Sequence, residues 1–98
     1  MKQIYKDIKK LNEITGRNLS LIMMKTTEEF GELAQEVNKL YGLKKTKETQ
    51  KDINQNILEE GVDTIQCVLS LLAENGHSYK DIKNMMLKKN DKWYSKYK

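Results

Sequence analysis

No proline interrupts the 98 residues of this chain. Proline ends or kinks a helix because it lacks an N–H and its ring clashes with the carbonyl four residues back. A chain without it can run long helices wherever apolar side chains recur at three- and four-residue spacing, and four such stretches are present. The first covers about residues 2–14, with Ile4, Ile8 and Leu11 on one face and Gly16 as its stop. The second begins near Asn18 and reaches about Tyr41, with Leu19, Met23, Phe30, Leu33, Val37 and Leu40 near one stripe and Gly42 closing it. After the polar, lysine-rich "LKKTKETQK", which reads as a flexible connection, Asp52 and Gln55 have the form of a capping box opening a third helix that runs to Asn75-Gly76. Ser78 and Asp81 open a fourth, which carries Ile82, Met85, Met86 and Trp93.

The expected class is therefore all-α, an antiparallel four-helix bundle-like domain spanning residues 1–98. A chain this short buries only about two-thirds of its unfolded surface, so self-association would add stability. The third helix points the same way. At 100° per residue Leu58, Val62, Ile65, Leu69 and Leu72 form one apolar stripe, while Ile57, Cys67 and Leu71 lie on roughly the opposite side. A helix apolar on two sides is buried on two sides, which suggests a helix from a second copy, with a large monomer core as the other reading. The chain is expected to oligomerise through its central helices.

The N-terminal "MKQIYKDIKK" has no apolar core of a secretion signal, and no run approaches 18 apolar residues, so a cytoplasmic protein with no membrane role is expected. Cys67 is the single cysteine and sits in an apolar run, so a disulfide is excluded and a buried reduced thiol is expected.

Two segments conflict with helix rules. In "EEFGEL" Glu28, Glu29 and Glu32 crowd Gly31, and in "EEGVD" Glu59, Glu60 and Asp63 crowd Gly61. Like charges three or four apart cost a few tenths of a kcal/mol and an interior glycine about 1 kcal/mol, so each segment gives up roughly 1.5–2 kcal/mol that something else must supply. Residues three apart share a helix face, so Glu29 lies with Glu32 and Glu60 with Asp63. In an antiparallel hairpin Glu32 falls roughly 14 Å below the end of its helix and Glu60 roughly 11 Å into the next, which brings the pairs to one height. Four converging carboxylates repel unless cations sit among them, and an all-oxygen set favours Mg²⁺, with Mn²⁺ as a substitute, over zinc. Gly31 and Gly61 would then let the helices approach or leave room for a ligand.

"EEFGEL" and "EEGVD", with 27 residues between Glu32 and Glu60, together with the surrounding "KTTEEFGELAQEVNKL" and "NILEEGVDTIQCVLSLL", resemble the E-E-x-x-E … E-x-x-D signature of the MazG-like all-α nucleoside triphosphate pyrophosphohydrolases. The resemblance covers about residues 20–95. It implies a homodimeric or homotetrameric Mg²⁺ enzyme that splits an NTP or dNTP between the α and β phosphates, giving a nucleoside monophosphate and pyrophosphate. It also implies Glu29, Glu32, Glu60 and Asp63 as metal ligands, Glu28 and Glu32 as catalytic groups, and phosphate contacts from the last helix. There the chain offers Lys89, Asn90, Lys92 and Lys96 for phosphate, though no arginine, and Trp93 is a candidate to stack on the base or a core aromatic. Arg17, the only arginine, is a surface residue or a phosphate clamp reaching over from a neighbouring subunit.

Charge is distributed unevenly. Residues 28–63 carry a net −4 and residues 80–98 a net +5, which suits a ligand made of a cation plus a polyanion. A competing reading is a non-enzymatic helical binding module whose tail "KKNDKWYSKYK", lysines interleaved with aromatics, contacts nucleic acid. That reading leaves both acidic motifs without a purpose.

Overall fold

The computed structural model describes residues 1–97 and consists of four helices: α1 (Lys2–Thr15), α2 (Leu19–Leu40), α3 (Gln50–Glu74) and α4 (Tyr79–Tyr97). Local chemistry sets each end. Gly16 adopts the left-handed conformation (φ 63°) that an L side chain resists, and its N–H returns to the Asn12 carbonyl at 3.0 Å, stopping α1. Asn18 then caps α2 by accepting from the Leu21 N–H at 2.9 Å. The capping box of α3 lies one turn earlier than expected. Thr49, not Asp52, is the cap: its hydroxyl accepts from the Asp52 N–H and the Asp52 carboxylate accepts from the Thr49 N–H. Ser78 caps α4 through the Asp81 N–H.

Two cross-helix registers define the packing. Glu36 meets Asn56 near the hairpin end of α2 and α3, and Glu29 meets Glu60 further from it, so the two helices run antiparallel. Likewise Asn12 pairs with Ser70 while the Tyr5 hydroxyl donates to the His77 carbonyl, which lays α1 antiparallel along α3. The Asn12 and Ser70 side chains are both buried and satisfy each other, with Asn12 Nδ2 donating to the Ser70 carbonyl at 3.0 Å and Ser70 Oγ donating to Asn12 Oδ1 at 2.6 Å. Tyr5, Ile8, Leu69 and Ala73 form the core cluster, against which Tyr79 and Ile82 at the root of α4 pack. No other part of α4 joins the core, and none of its residues is buried.

The connection over residues 41–49 is clasped rather than free. Lys39 Nζ donates to Glu36 Oε2 and to Glu48 Oε1, both at 2.7 Å, and the Asn56 amide donates to Glu36 Oε1 at 2.8 Å and also to Glu48. The end of α2, the connection and the start of α3 are thereby bound through one buried carboxylate, Glu36.

The faces turned inward differ from those the apolar stripes suggest. On α2 the buried side chains are Ile22, Thr26, Glu29 and Glu36, while Leu19, Met23, Phe30 and Val37, displaced from them by roughly a quarter turn, are exposed. On α1 the buried residues are Tyr5, Ile8 and Asn12, leaving Ile4 and Leu11 outside. On α3 the side carrying Ile57, Cys67 and Leu71, expected to meet another subunit, is the side of Glu60 and therefore faces α2 within the chain. The main stripe is the outward one: Leu58, Val62 and Ile65 are exposed and only Leu69 is buried.

Candidate metal centre

Glu29 on α2 and Glu60 and Asp63 on α3 each offer one carboxylate oxygen, and the three oxygens lie within 4.8 Å of one another. The periodicity that puts Glu60 and Asp63 on one face of α3 and the antiparallel register of the α2–α3 pair suffice to produce this. Glu32, one turn on from Glu29, is exposed and acts on Glu60 without belonging to the tight set of three. Glu28 is exposed, and its ionic neighbour is Lys25, 4.0 Å away.

Each carboxylate has a distinct electrostatic setting. Glu29 is buried and ion-paired, its Oε1 2.9 Å from Lys25 Nζ. That ammonium holds the Glu29 carboxyl below its ordinary range, against the opposing effect of burial. Glu60 is pushed the other way, up to about 7, first by burial, then by hydrogen bonding to Glu32 and the Glu32 charge, and then by the same two effects from Glu29. Its Oε2 atom is buried with no hydrogen-bond partner. A carboxylate oxygen shut away from water without a partner is destabilising, and a cation among these oxygens would remove that cost. The donor set is all oxygen, as a hard divalent ion requires. On the orphaned oxygen and the donor chemistry, the residues present fit Mg²⁺ or Mn²⁺.

The raised Glu60 carboxyl implies a pH dependence in the metal-free protein. The folded chain keeps a proton on Glu60 up to about pH 7, whereas the unfolded chain releases it near 4.5, so this stabilisation is complete below 4.5 and lost as pH rises through 7. Glu29 works in the opposite sense and in a lower window, its contribution being lost only as pH falls below the ordinary carboxylate range. The melting temperature of chelator-treated protein should fall between about pH 4.5 and pH 7 and level off above, and Glu60→Gln should flatten that slope. Equal slopes for the two proteins would show that Glu60 is not the titrating group.

The remaining site residues are placed as follows. Lys89, Asn90, Lys92 and Trp93 all lie on the exposed outer turns of α4, and none lines the cavity beside the carboxylates. Asn90 and Trp93 instead edge a separate shallow cavity of about 400 Å³ with Tyr94 and Tyr97. A Cβ built on Gly31 or Gly61 meets nothing within 4 Å, so close approach of α2 and α3 does not account for either glycine. Cys67 is a free, half-buried thiol whose pKa is pushed up by burial and next by the Glu29 charge, which keeps it neutral. Sequence reasoning missed Lys25. Its signal is a lysine four residues before Glu29, a spacing that sets the two side chains on one face. Nothing local announces Asn12 and Ser70, 58 residues apart.

Fold and site together define an all-α protein with an oxygen-donor carboxylate cluster between two antiparallel helices. No protein family, curated protein or solved structure matches the chain. Among the described residues no helix is long and apolar enough to cross a membrane.

Proposed function

We propose that this chain is a cytoplasmic, Mg²⁺-dependent nucleoside triphosphate pyrophosphohydrolase of the MazG-like all-α kind, acting as a homodimer or homotetramer. Water adds across the α–β anhydride of an NTP or dNTP, releasing the nucleoside monophosphate and pyrophosphate. The observation that carries this reading is the meeting of Glu29, Glu60 and Asp63, with a partnerless buried oxygen on Glu60, at the two motifs that resemble the family signature.

Glu29, Glu60 and Asp63 would hold the ion, with Glu32, which interacts with Glu60, as a fourth ligand. Bound there, Mg²⁺ supplies a Lewis acid and neutralises polyphosphate charge. The exposed Glu32 carboxylate is placed to accept the proton of the attacking water, with Glu28 a turn away as the second acid of the motif. Lys89, Asn90, Lys92 and Trp93 of α4 serve the substrate in the assembled oligomer, where a second copy would complete the bundle that one chain leaves open.

A second reading, a nucleic-acid-binding module without catalysis, is favoured by one observation: Trp93, Tyr94 and Tyr97 are exposed together on lysine-rich α4. Incubation with Mg²⁺ and a panel of nucleoside triphosphates separates the two. Pyrophosphate and a monophosphate should accumulate, and chelation should stop them. Absence of pyrophosphate from every nucleotide, with Mg²⁺ and with Mn²⁺, would remove the enzymatic reading.

A further inference from the structure

A cavity of about 270 Å³ opens beside the carboxylate cluster, between α1, α2 and α3. Glu29 and Asp63 line it together with Arg17, Lys25 and Asn12. Arg17 is held there by its neighbours. Gly16 ends α1 in the left-handed conformation, Asn18 caps α2, and the Asn12–Ser70 pair locks the end of α1 against α3. The Arg17 Nε atom is buried and has no hydrogen-bond partner. Buried polar atoms in native proteins are nearly always satisfied, and an orphaned guanidinium N–H in a residue that lines this cavity calls for an acceptor. Guanidinium presents a rigid planar fork that matches phosphate oxygens, while the Lys25 ammonium supplies a mobile point charge to the same cavity.

We propose that Arg17 and Lys25 form a phosphate subsite within the same chain, which takes one phosphoryl group of the substrate's polyphosphate directly beside the carboxylate cluster. This rests on the metal-dependent reading above. The cavity is slightly smaller than the roughly 300–1,000 Å³ typical of small-molecule pockets, a size for a phosphoryl group rather than a whole nucleotide. Base and sugar therefore lie outside it, and the subsite recognises polyphosphate independently of the base. Binding is conditional on the dication. Lys25 Nζ is engaged by Glu29 at 2.9 Å, and a divalent ion that takes up Glu29 competes with that pair and leaves the ammonium for phosphate oxygen. Without the dication the adjoining carboxylates repel the anion.

The test uses the full chain, Mn²⁺ alone, and inorganic tripolyphosphate with saturating Mg²⁺. Arg17→Gln should bind Mn²⁺ within about twofold of the unaltered protein but bind tripolyphosphate about 10- to 100-fold more weakly, the loss of a charge-assisted hydrogen bond. Its melting temperature should be unchanged, since Nε has no partner to lose. Arg17→Lys, which keeps the charge without the fork, should fall between, and it carries the test if the glutamine variant does not fold. Tripolyphosphate affinity unchanged in Arg17→Gln, or in Arg17→Lys where that variant carries the test, overturns the subsite and leaves the metal centre standing, as does tripolyphosphate failing to bind a protein that takes up Mn²⁺. Parallel loss of Mn²⁺ binding makes Arg17 a support of the metal centre and also overturns the proposal. Failure of the unaltered protein to bind Mn²⁺ removes the metal reading and the subsite with it.

Discussion

Glu60→Gln and Asp63→Asn should each lower pyrophosphate release by roughly two to three orders of magnitude, while the metal-free protein stays at least as stable as before. The two effects separate because a ligand is lost and a fold is not. Either substitution keeps side-chain size and helical character and removes one negative charge from a cluster whose oxygens lie within 4.8 Å. In the Glu60 variant the amide adds an N–H donor beside the Glu29 and Glu32 carboxylates, which stabilises the metal-free state most above pH 7, where Glu60 itself would be ionised. Catalysis should fail nonetheless, since weaker metal binding costs both charge neutralisation in the transition state and activation of water. Glu13→Gln, on the exposed side of α1, should move stability by no more than about 0.5 kcal/mol and leave turnover alone. Pyrophosphate assays at saturating Mg²⁺ and thermal melts in chelator are the measurements. Full activity in both cluster variants, or collapse of the metal-free fold, would refute the assignment of these carboxylates.

The second large effect concerns association. The chain exposes 7931 Å², where a compact monomer of its mass exposes about 5,800 Å². Its radius of gyration is 16.2 Å, against about 12.5 Å for a compact domain of this length. The excess surface is apolar in the places that matter. Phe30 and Val37 on α2, Leu58, Val62 and Ile65 on α3, and Met85 and Met86 on α4 are all exposed. The unaltered protein should therefore sediment as a dimer or larger at tens of micromolar. Val62→Lys or Ile65→Lys should weaken association at least about 100-fold, as loss of a buried anchor at the centre of an interface does. Because both positions face away from α2, the α2–α3 pair should survive these changes. Leu71→Lys, on the side that meets α2, should instead unfold the chain. A monomeric unaltered protein at that concentration removes the basis for this expectation.

Helix existence, helix ends to within a few residues and the meeting of the two acidic motifs are all legible in the amino-acid sequence. Gly16, Asn18, Ser78 and Gly76 terminate or open helices through hydrogen bonds and backbone preferences confined to one turn, which a linear sequence displays directly. The cap of α3 is ambiguous at that level because Thr49-x-x-Asp52 and Asp52-x-x-Gln55 overlap, and local chemistry permits both. Glu29 meets Glu60 because helical rise and hairpin length together set height, and both can be counted along the chain.

Which face each helix turns inward was decided only by tertiary packing. Apolar stripes predict inward faces when each helix has one partner and hydrophobic burial dominates. Here α2 turns Thr26, Glu29 and Glu36 inward, because Thr26 returns a hydrogen bond to Ile22, Glu29 has Lys25, and Glu36 has Lys39 and Asn56. Ile22, Lys25 and Lys39 stand within one turn on α2 itself, but Asn56 comes from α3, 20 positions away, and the buried Asn12–Ser70 pair spans 58. A polar group's burial depends on whether a partner stands opposite it in space, a condition that periodicity along one helix does not contain. The sequence by itself determined the helices and the height at which the carboxylates meet, through interactions of a turn or less. The docking of three helices decided which carboxylate oxygen was left without a partner, and that Arg17 shares a cavity with Glu29 and Asp63.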